Sequence, residues 1–177
     1  MNRSSTGSDK PIKLAERRIF SQSFKPLYGE GMSLVERAAE YLDGKGRAEA
    51  KKMSRLAATL YAAESMRLTT RLMQVASWLL LQRAANSGEM TRDQVASEKS
   101  KVRLDTASAN PDSTGWNELP ADFRELVDHS LSLQTRVRRL DEEIYGANAA
   151  AADSAAPRKT NPVSDQITLL KTAFGRG

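Results

Sequence analysis

The sequence predicts an all-α fold, an antiparallel three-helix bundle with an extra short helix in the connection before the last helix and disordered termini. Aromatic residues make up only 6% of the 177 residues, and Ala, Leu, Arg and Glu recur, which favours helices over sheets. Apolar residues recur at helical spacing in three long segments. Turn sequences such as "DGKGR" and "ANPDSTG" separate these segments, so we expect three long helices around one core.

The first long helix is predicted to run from about Ser23 to Asp43. Pro26 then falls in the first turn, where its missing backbone N–H breaks no hydrogen bond. The apolar residues of this segment lie on one stripe: Leu27, Leu34, Val35, Ala38 and Leu42. Residues 1–20 before it are polar and basic without a helical pattern, so we expect a disordered segment there.

The second helix is the longest and is predicted from about Arg47 to Asn86. Successive residues of a helix point about 100° apart, which separates its apolar side chains into two stripes. A core stripe contains Ala57, Tyr61, Leu68, Leu72, Val75 and Leu79. A heptad stripe contains Ala62, Met66, Met73 and Leu80. We expect both stripes to be buried, because the central helix of a bundle touches two neighbours.

The remaining face of this helix combines arginines and glutamines with large apolar side chains. This polar seam consists of Glu64, Arg67, Arg71, Gln74, Trp78 and Leu81. A Trp–Arg patch with a polar rim has the composition of a protein–protein interface, so we interpret the polar seam as the candidate partner-binding site. The alternative is that segment 88–116 of the same chain covers Trp78, and the sequence leaves both interpretations open.

The connection to the last helix contains a short helix that begins at Thr91, because "TRDQ" has the spacing of a capping box. This charge-rich helix extends to about Leu104, and we expect it to pack loosely. The last helix is predicted from Pro120 to Gly146, with a period close to 3.5 residues that favours coiled-coil-like packing. Its apolar residues are Phe123, Leu126, Val127, Leu133, Val137, Leu140 and Ile144. Residues 21–146 therefore form the predicted helical domain.

Residues 147–177 are predicted to be a flexible linker followed by a short amphipathic motif. The linker is rich in Ala and carries Ser and Pro residues. Ile167, Leu170 and Phe174 follow it at helical spacing. This motif is too short to form a stable helix alone, so we expect it to fold against a partner or against the helical domain.

No constellation of residues predicts catalysis, a metal site or a cofactor. His129 is the single histidine, and Asp128 and Ser130 flank it on a helix, where adjacent side chains diverge by about 100°. The sequence has no HxxxH or ExxH pair for a metal, and the absence of cysteine excludes disulfides and thiolate ligands. No apolar run reaches the roughly 18 residues of a membrane span. We therefore predict a cytoplasmic protein that is not an enzyme and has no membrane partner.

The formal net charge of +5 lies in the two termini. Residues 21–146 contain 18 basic and 18 acidic side chains and are neutral overall. A protein that binds DNA through its folded body usually presents a basic face. We do not expect nucleic acid to be a partner, and we keep weak binding through the basic tails as an alternative.

The run "ESMRLTTRLMQVASWLLLQRA" in the second helix is the most specific feature of the sequence. Together with "GEMTRDQVASEKSKVRL" and the "RVRRLDEEI" end of the last helix, it resembles the RcdA family, the regulator of CtrA degradation in alphaproteobacteria. The resemblance covers roughly residues 21–146. The residues that stand where the family motif does are Glu64, Arg67, Thr70, Arg71 and Gln74.

The resemblance implies a small dimeric helical-bundle protein without a cofactor, which acts as an adaptor of the ClpXP protease. Such an adaptor links a response-regulator-type protein at the protease to cargo in cell-cycle-controlled proteolysis. The expected partners are therefore a ClpX-type unfoldase complex, response-regulator-type proteins, cargo and a second copy of the chain. The residues by themselves also allow a structural homodimer that pairs through Trp78 and Leu81.

Overall fold

In the computed structural model of the chain, residues 9–146 are described, with side chains from Gln22 onward except that of Arg92. No strand occurs within residues 9–146, and the predicted all-α class is confirmed. The helices are α1 (Asp9–Asp43), α2 (Lys45–Ala50), α3 (Arg55–Ser87), α4 (Arg92–Lys99) and α5 (Ala121–Asp141). A 3₁₀ turn, Trp116–Glu118, precedes α5, and a π-helical turn, Glu142–Gly146, follows it.

The chain divides into two compact units, Met1–Arg139 and Leu140–Gly177. The helix packing and the site described below lie in the first unit, and of the second unit only residues 140–146 are described. The predicted linker and amphipathic motif, with Ile167, Leu170 and Phe174, therefore lie outside the described residues. None of the described helices is both long and apolar enough to cross a membrane.

The first helix is longer than its apolar stripe predicts. α1 begins at Asp9, so the predicted start near Ser23 is wrong, and Pro26 lies inside the helix instead of in its first turn. Residues 10–18, "KPIKLAERR", carry several good helix formers but little to bury, and the absence of an apolar pattern led to the expectation of disorder. Of the predicted disordered segment 1–20, residues 1–8 lie outside the described residues.

The three long helices contact one another pairwise around one core. The backbone of α1 approaches α3 closely at Gly31, where a Cβ atom would lie 2.4 Å from Leu79 and 3.7 Å from Leu133 of α5. At one end of the bundle, the Phe123 ring of α5 lies 4.6 Å from the Tyr61 ring of α3 and 6.1 Å from the Tyr41 ring of α1. Leucines such as Leu79 and Leu133 are fully buried, and each contributes about 1.5–3 kcal/mol relative to an exposed leucine.

The direction of α5 is the least expected feature of the bundle. Along α5, Phe123 lies near Tyr41 of α1, and His129 lies near Glu30, so these two helices are antiparallel. Contacts between α5 and α3 follow the same direction along both helices. Phe123 lies beside Tyr61, and the later residue Ser130 is bonded to the later residue Arg71. Hence α1 is antiparallel to both other helices, while α3 and α5 are parallel. A parallel pair requires the connection between them to return along the whole bundle.

The short helices refine the predicted boundaries. The predicted second helix is divided, because α2 ends at Ala50 and α3 starts after Ser54, whose hydroxyl accepts a hydrogen bond from the Ala57 N–H at 3.2 Å. The capping box that opens α4 is confirmed by reciprocal bonds of 2.9 and 3.2 Å between Thr91 and Gln94. The expectation that α4 packs loosely is wrong, because Val95 is fully buried.

Candidate functional site

The connection between α4 and α5 forms a strap, residues 100–115, that lies along α3. Beyond its first residues it has no helical structure, and its side chains alternate between exposed and half-buried from 101 to 108. Thr106 and Ala107 meet Arg71, whereas Ser108 and Ala109 meet Glu64, an earlier residue of α3. The strap therefore runs antiparallel to α3, as the parallel arrangement of α3 and α5 requires.

Arg71 joins the strap to both neighbouring helices. Its Nε donates to the Thr106 carbonyl at 3.2 Å and its Nη2 donates to the Ala107 carbonyl at 3.3 Å. Its Nη1 donates to the Ser130 hydroxyl of α5 at 2.7 Å. The side chain is fully buried, and only the planar fork of a guanidinium can donate in these three directions at once.

Glu64 binds the next part of the strap. This buried carboxylate accepts hydrogen bonds from the Ser108 hydroxyl, from the Arg67 guanidinium and, at 2.8 Å, from the Ala109 N–H. Burial alone raises the pKa of Glu64, but these three donors outweigh it and hold the pKa below its ordinary value. Burial also lowers the pKa of the Arg71 guanidinium, which the nearby Glu64 charge opposes, so both groups stay charged at neutral pH.

Trp78 lies further along the polar seam, under α4. It is 1% exposed, and the Lys99 ammonium of α4 lies 4.0 Å from the centre of its ring, a cation–π contact in a desolvated position. Lys99 also donates to the Gln82 side chain at 2.9 Å. Along the same polar seam, the Gln74 side chain accepts a hydrogen bond of 2.7 Å from the Thr106 hydroxyl. Glu64, Arg71, Gln74 and Lys99 therefore each have a partner within the chain.

These contacts decide between the two interpretations of the polar seam. Glu64, Arg71 and Trp78 are buried under α4 and the strap, so the expectation that the polar seam is an open partner-binding face is wrong. The alternative, that segment 88–116 covers Trp78, is confirmed. Gln74 and Leu81 are half-buried, and Arg67 is exposed at the edge of the strap. Helical periodicity places residues on a face but does not show what an irregular segment of the same chain covers.

The heptad stripe also differs from its prediction. Met66 is 73% exposed, Met73 is 65% exposed and Leu80 is 50% exposed, although their spacing predicts contact with a second helix. They are three of the four exposed large hydrophobic side chains among the described residues, and the fourth, Leu56, is also on α3. Among the described residues, α3 therefore buries its core stripe and the Glu64, Arg71 and Trp78 side chains of its polar seam, and it leaves the heptad stripe exposed.

The described residues do not assemble a reaction centre. His129 is held at 2.8 Å by Glu30 of α1, which also binds Arg136, so this cluster joins α1 to α5. Among residues 9–146, no group of three or more potential ligands could hold a metal ion. The Glu30 cluster was missed by sequence reasoning, because its members are about 100 positions apart and share no local motif.

The fold and the site together define a helical-bundle protein in which one face of the helix α3 is covered by α4 and by the strap of the same chain. Residues 15–174 match the family described as "Protein of unknown function (DUF1465)", and the chain belongs to this family, of which RcdA is a relative. The crystal structure of RcdA from Caulobacter crescentus CB15 is similar, with 46% sequence identity and a TM-score of 0.57. The match covers 69% of this chain and 90% of that chain. No curated protein sequence matches significantly.

The resemblance to the RcdA family that the sequence indicates is thereby confirmed. The match therefore shows a helical protein related to RcdA.

Proposed function

We propose that this protein is a non-enzymatic adaptor in regulated proteolysis, which links a ClpX-type unfoldase complex and response-regulator-type proteins to cargo in cell-cycle control. The observation that carries the proposal is the 46% identity to RcdA over most of both chains. The site is compatible with this role, because its buried polar groups hold one segment of the chain against another. We further propose that the adaptor is cytoplasmic, where such a protease works, and that it is a homodimer.

In this proposal the polar seam contributes to partner binding indirectly. Glu64 and Arg71 fix the path of the strap, and the strap turns Arg103, Asp105 and Ala107 toward solvent. An ordered extended segment offers partners a fixed set of side chains, since its conformational entropy is already lost before binding. Loss of Arg71 is then expected to weaken capture of partners by loosening the strap.

The test is affinity capture of the tagged chain from the native lysate, with quantification of ClpX-type unfoldase and response-regulator-type proteins. Arg71→Ala is compared with Arg55→Ala, which removes an exposed guanidinium from the same helix, outside the polar seam. We expect wild type and Arg55→Ala to enrich these proteins and Arg71→Ala to enrich them several-fold less at unchanged helical content.

If neither protein class is enriched by wild type, the adaptor proposal fails and the structural homodimer replaces it. If Arg71→Ala captures as well as wild type, the strap has no part in partner binding. Binding to labelled DNA that disappears as salt is raised would instead support the basic tails as a nucleic-acid site.

A further inference from the structure

The heptad stripe is the centre of an exposed face of α3 that carries no charged side chain between Thr59 and Ser87. Among the described residues of this face, all but the half-buried Ala84 are exposed. The face comprises Thr59, Ala62, Met66, Thr69, Thr70, Met73, Ser77, Leu80, Ala84 and Ser87. At 1.5 Å per residue it is about 40 Å long, and a charge-free surface of this length on an exposed helix is typical of an interaction surface.

Most of the hydroxyl groups on this face already bond within α3. Thr59 and Thr69 donate to the carbonyls of Arg55 and Ser65 at 2.9 and 2.8 Å. Ser77 donates to the Met73 carbonyl at 2.8 Å. A hydroxyl that is bonded to its own helix loses little hydrogen bonding when a partner displaces water. The free energy of removing this face from water is therefore close to that of an apolar surface.

Apart from Thr70, the side chains of the face are arranged symmetrically by size about Met73. Met66 and Leu80 are seven residues to either side, and smaller residues form the equivalent pairs Thr69 with Ser77, Ala62 with Ala84, and Thr59 with Ser87. In an antiparallel pair of identical helices centred on Met73, large side chains meet large ones at three levels and small ones meet small ones between them. A parallel pair matches any sequence to itself and requires no such symmetry.

We propose that a second copy of this chain occupies the face, with the two α3 helices antiparallel and crossing at Met73. This rests on the homodimer proposed above and names its surface and register. A strip about 40 Å long and 10 Å wide on each copy removes on the order of 1,000 Å² from water, the area at which specific interfaces begin. The two macrodipoles then oppose each other, and no like charges meet although each chain carries a net charge of +5.

The chain has no cysteine, so single substitutions can report the register directly. Met73→Cys is expected to form a disulfide-linked dimer of twice 19.5 kDa under mild oxidation. Met66→Cys and Leu80→Cys are each expected to remain unlinked alone, because identical positions lie about 20 Å apart along the antiparallel axis, too far for a disulfide. A mixture of these two variants is expected to link.

A disulfide-linked dimer of the Met66→Cys variant alone would overturn the antiparallel register in favour of a parallel pair. A dimeric mass without any of these links would overturn the surface while leaving the homodimer intact. A monomeric chain would overturn both, and a link between Met73→Cys and Phe174→Cys within one chain would show that the C-terminal motif is the occupant. None of these outcomes depends on partner capture, so the adaptor proposal stands or falls separately.

A charge substitution gives a second measurement without oxidation. Met73→Glu is expected to yield a monomer with unchanged helical content at concentrations where wild type is dimeric, because Met73 is 65% exposed in the single chain. Ala39→Glu adds the same charge to an exposed position of α1 and serves as the control. An unchanged dimer mass in Met73→Glu would contradict the proposed interface.

Discussion

Arg71 and Glu64 show how two buried charges can specify the path of an irregular segment. A buried ion pair often adds little net stability, because desolvation offsets the attraction between its charges. Here Arg71 binds two carbonyls of the strap, and Glu64 binds a hydroxyl and an N–H of the strap, so both charges serve as hydrogen-bonding partners for backbone that has no helix or sheet of its own. Removal of either charge therefore leaves buried polar groups without partners.

We expect Arg71→Ala to lower the free energy of unfolding by about 3–5 kcal/mol, because it leaves two strap carbonyls without their donor and removes a positive charge near the buried Glu64 carboxylate. Arg71→Lys keeps the charge but not the fork, and is expected to cost about 1–3 kcal/mol. Urea unfolding followed by tryptophan fluorescence measures both, since Trp78 and Trp116 are buried. Arg55→Ala, which removes an exposed guanidinium of the same helix, is the control at under about 1 kcal/mol, and an equal loss in the control would contradict the special role of Arg71.

At the scale of the elements, close approach of helices depends on particular glycines. A Cβ atom at Gly46 of α2 would lie 2.4 Å from the Tyr61 hydroxyl oxygen and 2.6 Å from the Tyr41 ring. At Gly29 of α1, a Cβ atom would have no neighbour within 4 Å. The first glycine permits α2 to pack on two aromatic rings, whereas the second only makes the unfolded chain more flexible.

These two positions therefore predict opposite effects of one substitution. Gly46→Ala is expected to destabilise the protein by about 1–3 kcal/mol through overpacking. Gly29→Ala is expected to stabilise it by about 0.4–1 kcal/mol, because alanine loses less backbone entropy in a helix. Thermal unfolding of the two variants beside wild type tests the pair, and a shift of both melting temperatures in the same direction would refute the packing described at Gly46.

At the scale of the whole molecule, two carboxylates connect elements that are distant in sequence. Glu30 joins α1 to α5 through Arg136 and His129, and Glu64 joins α3 to the strap. The hydrogen bond from Arg136 is the main reason that the pKa of Glu30 lies below its ordinary value of 4.5, although partial burial opposes it. Since the pKa of Glu64 is lowered as well, both groups link folding to pH in the same direction.

A carboxylate whose pKa is lower in the folded than in the unfolded state stabilises the fold above the unfolded value and loses this effect as pH falls through the folded value. We therefore expect the contribution of these two groups to the free energy of unfolding to be constant between about pH 7 and 5. Below about pH 4.5 this contribution is expected to decrease. In Glu64→Gln the value at neutral pH is lower and the acid-dependent fall is shallower. Urea titrations between pH 3 and 7 measure the slope, and an unchanged slope in this variant would contradict the link.

The sequence by itself determined the helical class, the existence of three long helices but not all of their ends, the capping box at Thr91 and the family. These features follow from local chemistry, since helical periodicity, caps and turn residues act over a few positions along the chain. It also identified the polar seam of Glu64, Arg71, Gln74 and Trp78 as unusual, because arginine and tryptophan on one face of an apolar helix require some partner.

Only the tertiary structure decided which partner each face of α3 has. The parallel arrangement of α3 and α5 forces the connection to return along the bundle, and this path covers the polar seam with the strap. The heptad stripe, which has the periodicity of a core, is left exposed at Met66, Met73 and Leu80. Periodicity gives the direction in which a side chain points, but what lies opposite it is determined by contacts between residues far apart in the chain.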